Sequence, residues 1–287
     1  MDDPRPYALL RITLGVTTFL SLLDFWPHLT FFYSDLGFFP RDSMNALQGH
    51  LHPISLLYLS GSETWVFFVY LITLVVSLLY AGGVLTRWMG PILWLCLASF
   101  IHRNVFVVDG SVTLLLQLLI PMMLVDTGAS WSWDARRSSE NKVIYSWLGV
   151  LLRFQLGMVY LASGLYKLMG ADWTNGEAIR IVMAHPHWRR FDLDGLLSLD
   201  IVIVVLDGIC SLVPFWEILF PLLVLHRYTR WLALGFGFFL HSSQWFTINT
   251  AYFTPILLSL YPLFLSEQTR ATLWARMRSL LGQAKHG

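Results

Sequence analysis

Charged side chains are scarce in this sequence. Only 13% of its 287 residues are Asp, Glu, Lys or Arg, whereas about a quarter of the residues in a typical soluble domain are charged. Hydrophobic residues make up 56% of the chain, and its mean hydropathy is +0.59. This balance excludes an ordinary soluble domain. The sequence predicts an integral membrane protein embedded as a single unit.

An excess of charge of either sign is also absent, as are cysteine frameworks and nucleotide-binding loops. The formal net charge is +1, which gives no reason to expect nucleic acid as a partner. The two cysteines, Cys96 and Cys210, both lie inside apolar runs, so we expect no disulfide framework. No glycine-rich phosphate loop is present in the sequence.

Metal-ligand patterns are sparse. His50 and His52, and likewise His185 and His187, are spaced i, i+2, which would suit ligands in an extended segment. No third ligand accompanies either pair. We therefore expect no metal site and interpret the segment HPHWRR as a turn at the membrane interface.

Apolar runs fill most of the chain. Because a bilayer core of about 30 Å requires around 20 helical residues, we predict a polytopic all-α membrane bundle of about eight transmembrane helices. The predicted spans are residues 7–27, 65–86, 88–101, 111–126, 145–167, 200–225, 231–247 and 250–265.

The basic residues predict an orientation. If the N-terminus is cytoplasmic, most Lys and Arg residues outside the spans fall in inner segments, as the positive-inside rule requires. Both termini are then cytoplasmic, and the long loops 28–64 and 168–199 lie outside. Residues 1–266 are expected to form the transmembrane domain. Residues 267–287 are expected to form a basic amphipathic tail that fits an anionic lipid surface.

Ionisable residues inside apolar spans mark either paired structural sites or functional ones. Arg153 and Glu217 each lie about eight residues from the inner end of consecutive spans, which at about 1.5 Å per residue places them at equal depth. This depth predicts a structural ion pair. The alternative is that the two residues form a gate in a proton-coupled transporter. The sequence lacks the internal repeats that such transporters contain.

A second group of ionisable residues collects toward the outer ends of the spans. Taken singly, a lysine at a helix end is usually an interfacial anchor, and a membrane histidine usually makes one satisfied hydrogen bond. Six such groups from five spans at one level, however, require a shared polar cavity. They are Asp24, His102, Arg103, Lys167, Asp207 and His241.

Four longer motifs extend this interpretation. They are LRITLGVTTFLSLLDFW with FFYSDLGFFPRDS, IHRNVFVVDGSVTLLLQ, FQLGMVYLASGLYKLMGADWTNGEAI and LHSSQWFTINTAYFTPILLSLYPLF. In this order they resemble the first span and loop, the third-to-fourth helix connection, the base-lysine segment and the late pair of spans of the HTTM (horizontally transferred transmembrane) domain. That superfamily includes vitamin K-dependent gamma-carboxylase. The resemblance runs from about Leu10 to Leu265.

The lysine segment carries the most specific match, because Gly-x-x-Lys-Leu is followed by Asp172, Trp173 and Gly176 in the family's order. By this resemblance Lys167 takes the place of the carboxylase's general base. The resemblance implies catalytic roles for Lys167, His102, Asn104 and His241. The binding of substrate is expected to involve Arg103, Asp172, Trp173 and Asp207.

The resemblance implies a bacterial inner-membrane enzyme in which a lysine abstracts a proton inside an outward-facing cavity. The expected substrate is a quinone-like molecule, a lipid, or a lipidated or exported peptide, and the expected cofactor is a reduced quinone. Membrane lipid and an exported peptide or partner membrane protein are the expected partners. The alternative is a non-catalytic membrane partner that assists maturation or export of a secreted peptide. An enzyme requires Lys167 inside a cavity, whereas an escort requires an exposed apolar groove.

Overall fold

The computed structural model describes residues 2–48, 54–137 and 144–283. These residues are mainly helical, and the β contacts among them are two isolated bridges, Asp2 with Ile144 and Arg189 with Ile248. The predicted all-α membrane fold is confirmed. His50 and His52, one of the two spaced histidine pairs, lie outside the described residues.

The α-helices of the described residues are α1 (Arg5–Phe25), α2 (Leu29–Tyr33), α3 (Arg41–Gln48), α4 (Glu63–Gly82), α5 (Thr86–Arg103), α6 (Gly110–Met123), α7 (Trp133–Arg137), α8 (Ser146–Leu168), α9 (Ala171–Thr174), α10 (Ala178–Ala184), α11 (Asp194–Leu197), α12 (Asp200–Leu223), α13 (Arg227–Thr247), α14 (Phe253–Leu258) and α15 (Glu267–Gln283). Short 3₁₀ turns occupy Trp26–His28, Leu56–Tyr58, Val105–Val107, Thr127–Ala129 and Tyr261–Phe264.

Helices occupy all eight predicted span positions. Within the described residues, four segments are long and apolar enough to cross a membrane, namely Arg5–Tyr33, Glu63–Gly82, Ser146–Leu168 and Asp200–Leu223. Helix α6 and the segment Phe253–Phe264 are apolar but shorter, and α5 and α13 are long but less apolar. The eighth predicted span is broken, because the 3₁₀ turn Tyr261–Phe264 follows α14.

The chain divides into two compact units. The first comprises Met1–Leu152 and Thr250–Ser259, and the second comprises Arg153–Asn249 and Leu260–Gly287. In the first unit α1 packs along α4, and α5 packs against both α4 and α6.

An apolar core lies in this first unit around Leu22, Tyr33, Tyr70 and Phe100. These four residues also line a cavity of about 120 Å³, together with Asp109. The Asp109 carboxylate accepts hydrogen bonds from amide groups at the start of α6 and so caps that helix. This cavity is therefore mainly aromatic and aliphatic, with one capping carboxylate at its wall.

Arg11 is buried within α1, although the bilayer should disfavour its charge. Its guanidinium donates to the backbone carbonyls of Thr127, Ser130 and Trp131 at 2.6, 3.2 and 2.6 Å. Trp131 has a positive φ of 46°, so the loop that carries these carbonyls is tightly turned. Arg11 thus fastens this loop to α1, which is a structural role.

In the second unit the chain between α8 and α12 folds back on the first half of α12. Helices α9, α10 and α11 all contact α12. Arg180 on α10 donates from Nε to Asp207 Oδ1 at 2.8 Å. This ion pair fixes the connecting segment to the helix that follows it.

The predicted basic tail forms α15. Arg270 and Trp274, one turn apart on this helix, are 5% and 4% exposed. Residues four apart share one face of a helix. That face is therefore buried against protein and does not present these two side chains to a lipid surface.

Candidate functional site

Lys167 lies at the end of α8, and its side chain is 18% exposed. Its Nζ donates to both carboxylate oxygens of Glu217, at 2.7 and 2.6 Å, and to Ser163 Oγ at 2.6 Å. The ring centroid of Trp173 lies 5.1 Å from Nζ, within cation–π range. An ammonium group has three N–H donors, so these three hydrogen bonds occupy all of them.

Glu217 reaches Lys167 because α8 and α12 approach closely at Gly164. A Cβ atom at position 164 would lie 2.6 Å from the Pro214 carbonyl oxygen and 2.8 Å from the side chain of Ile218. A glycine is therefore required at this crossing. Pro214 lacks a backbone N–H and interrupts the hydrogen bonds of α12 close to Glu217.

The predicted ion pair between Arg153 and Glu217 is wrong. Arg153 Nη1 instead donates to the carbonyl oxygen of Leu263 at 3.1 Å, and Glu217 pairs with Lys167. The prediction assumed that the first residue of α8 and the last residue of α12 lie at the same depth in the membrane. The contact at Gly164 sets the end of α8 against the interior of α12, and this offset places Lys167 beside the carboxylate.

A chain of hydrogen bonds joins three further polar side chains in the second unit. Tyr160 Oη lies 2.8 Å from His241 Nε2 and 2.8 Å from Tyr261 Oη. The Tyr160 ring is 2% exposed, and His241 and Tyr261 are 5% and 8% exposed. Because a phenol both donates and accepts, the chain can be oriented from Tyr261 toward His241 or in the reverse direction.

Aromatic packing and one glycine hold this chain in place. The Trp216 ring contacts Tyr160 edge-on at a centroid distance of 5.0 Å, and Phe220 lies 4.2 Å from the same ring. A Cβ atom at Gly237 would collide with Tyr261 Oη and with Trp216. Helix α13 therefore needs glycine at this position in order to bring the three polar groups together.

The lysine pair and the hydrogen-bonded chain form one polar group inside the second unit. Trp216, which precedes Glu217 in sequence, packs against the Tyr160 ring at a centroid distance of 5.0 Å. Tyr160, Ser163 and Lys167 share one face of α8, since they are spaced three and four residues apart. We call this group the Lys167 cluster; its members are Tyr160, Ser163, Lys167, Trp173, Glu217, His241 and Tyr261.

Comparison with known proteins places the chain in a family. The sequence model of the HTTM domain matches residues 3–268, which is nearly the whole chain. The chain belongs to the HTTM domain family. It is 23% identical over 211 residues to the sporulation-delaying protein SdpB of Bacillus subtilis (strain 168), and this alignment spans 69% of the chain but only 62% of that relative. No solved structure matches the chain significantly.

Other residues predicted for the site of this HTTM protein lie outside the Lys167 cluster. Asp172 is adjacent to Trp173 in sequence, but it is exposed. Asp207 is paired with Arg180, whereas Lys167 is paired with Glu217. Its expected role beside the lysine is therefore taken by Glu217.

The predicted residues that precede α6 belong to the first unit. His102 Nδ1 lies 2.8 Å from the Ile54 carbonyl oxygen. Asn104 donates to the Phe32 carbonyl at 3.0 Å and accepts from the Phe106 amide at 3.1 Å, so its amide organises the backbone.

Two more charged residues of the predicted outer group are also in the first unit. Arg103 pairs with Asp35, and Asp24 accepts a hydrogen bond from the Tyr252 hydroxyl at 2.7 Å. The six ionisable groups are thus divided between the two units, three in each.

The reading of the sequence missed Tyr160, Tyr261 and the partnership of Glu217 with Lys167. A signal for Tyr160 and Ser163 was present, because both lie on the face of α8 that carries the lysine. Tyr261 had no such signal, since it is far along the chain in a broken span. Its contribution depends on tertiary packing alone.

The expected reduced quinone stays a prediction. The cavity in the first unit measures about 120 Å³, which is smaller than the roughly 150 Å³ cavity known to take up benzene. Among the described residues no group of three His, Cys, Asp or Glu side chains is arranged to hold a metal ion.

Proposed function

We propose that this HTTM protein is a membrane-embedded enzyme in which Lys167 removes a proton from a lipid, a quinone-like molecule or an exported peptide. The observation that supports it is the pairing of Lys167 with Glu217 beside the His241–Tyr160–Tyr261 chain. Ionisable groups within membrane helices are costly and commonly functional. Here five groups able to exchange protons are gathered in one unit.

The lysine must lose a proton before it can act as a base, because an ammonium nitrogen has three donors and no free lone pair. Transfer of one proton from Nζ to Glu217 yields a neutral amine and a neutral carboxyl group. The net charge of the pair does not change, which suits a poorly solvated site. The amine then accepts the substrate proton, which leaves a substrate anion beside the ammonium while Glu217 holds the first proton. Return of that proton to the substrate anion restores the Lys167–Glu217 ion pair.

The His241–Tyr160–Tyr261 chain offers a route for returning protons. Each member both donates and accepts through a hydroxyl or imidazole group, and both links are 2.8 Å long. Reversal of the chain's hydrogen bonds would move a proton from one end to the other without moving any heavy atom far. His102 and Asn104 have no step in this scheme.

The test compares the host strain with a strain that lacks this gene, using mass spectrometry of the membrane and secreted fractions. A catalysed change appears as a product mass that is missing in the deletion strain. Complementation with Lys167→Arg should leave that mass absent, because a guanidinium keeps the charge but does not serve as a base. Restoration of the product by Lys167→Arg would refute the lysine base.

The second candidate function is a non-catalytic partner that assists maturation or export of a peptide. Two observations favour it: Lys167 is closed off by its own hydrogen bonds, and Tyr166 and Met169 beside it are 79% and 84% exposed. This function predicts that deletion changes where a peptide accumulates and leaves its mass unaltered. Lys167→Arg should then support normal export.

The proposed setting is the bacterial inner membrane with both termini in the cytoplasm. Ser198 and Tyr228 flank α12 and are exposed, so they should lie on opposite sides of the membrane. The native Cys96 and Cys210 are buried and give little background. An impermeant maleimide should label Ser198→Cys in intact cells and label Tyr228→Cys only after the cells are opened. The reverse pattern would invert the orientation.

A further inference from the structure

A buried guanidinium with unused hydrogen-bond donors lies at the end of α5 in the first unit. The Arg103 side chain is 0% exposed. Its Nη2 donates to the Ser34 carbonyl at 3.2 Å and to Asp35 Oδ1 at 3.3 Å. Neither Nε nor Nη1 of Arg103 has a hydrogen-bond partner among the described residues.

The neighbouring carboxylate does not balance this charge, because a second arginine already holds it. Arg41 binds Asp35 through its backbone N–H at 3.0 Å, through Nε at 2.8 Å and through Nη2 at 2.7 Å. Burial alone would raise the pKa of Asp35, but the hydrogen bonds and charge of Arg41 and the charge of Arg103 leave that pKa below its usual value. Two guanidinium groups thus share one ionised carboxylate, and the group carries one excess positive charge.

Two buried hydroxyl groups add further unused donors. Ser34 Oγ and Tyr58 Oη have no hydrogen-bond partner among the described residues. Ser34 accepts from Arg103 through its carbonyl, and the Tyr58 carbonyl accepts from Arg41 Nη1 at 2.9 Å. The residues that carry these unused donors are therefore joined through the Arg41–Asp35–Arg103 contacts. We call Arg103, Ser34 and Tyr58, together with Asp35 and Arg41, the Arg103 cluster.

An unpaired buried charge and several unused donors are each costly. A group with negative charge and several acceptor oxygens would satisfy both at once, since arginine and hydroxyl donors match oxyanions well. We propose that the Arg103 cluster binds a small oxyanion group, a phosphate or a carboxylate. The proposal uses no member of the Lys167 cluster and does not depend on the proposed enzyme activity.

Thermal unfolding of the full-length protein in an uncharged detergent tests this proposal. Sodium phosphate and sodium formate are titrated against sodium chloride at constant ionic strength, and the Kd follows from the rise in Tm. A second arm uses lipid nanodiscs of phosphatidylcholine with or without phosphatidylglycerol. Stabilisation by the free anion in detergent indicates a soluble ligand, and stabilisation only by phosphatidylglycerol indicates a lipid headgroup; either supports the site if it depends on Arg103.

Three variants and one control identify the binding residues. Arg103→Gln should weaken binding of the anion at least about tenfold, as expected for loss of a charged hydrogen-bond donor. Tyr58→Phe should weaken it about two- to tenfold. Asp35→Asn should tighten it, because the competing carboxylate is removed. Arg189→Gln removes an arginine paired with carboxylates in the other unit and should change nothing.

Tyr58→Phe and Asp35→Asn keep the buried arginine, so they test the site even if Arg103→Gln does not fold. The proposal is overturned if neither anion nor anionic lipid stabilises the wild-type protein beyond chloride or neutral lipid, since water would then be the only occupant. It is also overturned if Asp35→Asn and Tyr58→Phe bind the anion as the wild type does.

Discussion

The two polar clusters of this protein differ in how they neutralise a buried cation. Lys167 faces one carboxylate, and all three of its N–H groups are engaged. Arg103 shares one carboxylate with Arg41, and two of its nitrogen atoms have no hydrogen-bond partner in the described part of the chain. The first arrangement is balanced in charge and can exchange a proton internally. The second carries excess positive charge, which favours binding of an anion over proton transfer.

The largest expected effect comes from unbalancing the Lys167 cluster. Glu217→Gln removes the carboxylate and leaves a buried ammonium, which should lower the free energy of unfolding by about 3–5 kcal/mol. Chemical denaturation in detergent micelles measures this loss. The double variant Lys167→Met with Glu217→Gln should recover much of the stability, because no unpaired charge remains.

Equal losses in the single and double variants would contradict a coupled pair. The matched comparison is Asp35→Asn in the Arg103 cluster. Because Asp35 is one-third exposed, solvent screens its charge, and the change should cost less than the loss at Glu217. A larger loss at Asp35 than at Glu217 would reverse the comparison between the clusters.

The close helix crossing that creates the lysine pair gives the next largest effect. Gly164→Ala would place a methyl group 2.6 Å from the Pro214 carbonyl oxygen, and overpacking of this kind costs about 1–3 kcal/mol. Gly157→Ala is the matched control on the same helix, since its Cβ would make only ordinary contacts from 3.5 Å outward. Unfolding free energies of the two variants should differ clearly. Equal stability would show that α8 and α12 are not held together at Gly164.

The sequence was sufficient to predict the helices and the position of Lys167 at a helix end, because apolar length and the lysine segment are local features. It was insufficient to predict the partner of Glu217. Equal distance from a helix end is a poor guide to depth when a glycine contact such as Gly164 shifts one helix along another. Tyr261 and the donors around Arg103 come together only through tertiary packing, which a single sequence does not display.

Substitutions in the hydrogen-bonded chain of the Lys167 cluster should have an intermediate effect on the free energy of unfolding. Tyr160→Phe leaves His241 and Tyr261 without their shared partner, and unsatisfied buried groups cost about 1–3 kcal/mol. Tyr261→Phe removes only the end of the chain and should cost less. Denaturation of both variants measures the difference. A greater loss for Tyr261→Phe would show that Tyr160 is not the central link.

The smallest expected effect is the acid sensitivity of the Arg103 cluster. The folded-state pKa of Asp35 lies below its usual value because the Arg41 hydrogen bonds outweigh burial. The unfolded chain therefore binds the proton at a higher pH than the folded chain does. The contribution of Asp35 to stability is complete above its unfolded pKa and is lost as pH falls through its folded pKa. In neutral detergent, Tm measured from pH 7 into the acid range should fall slightly more steeply for the wild type than for Asp35→Asn. Parallel curves would mean that the two guanidinium groups do not stabilise the Asp35 carboxylate. The excess positive charge inferred for the Arg103 cluster would then be wrong.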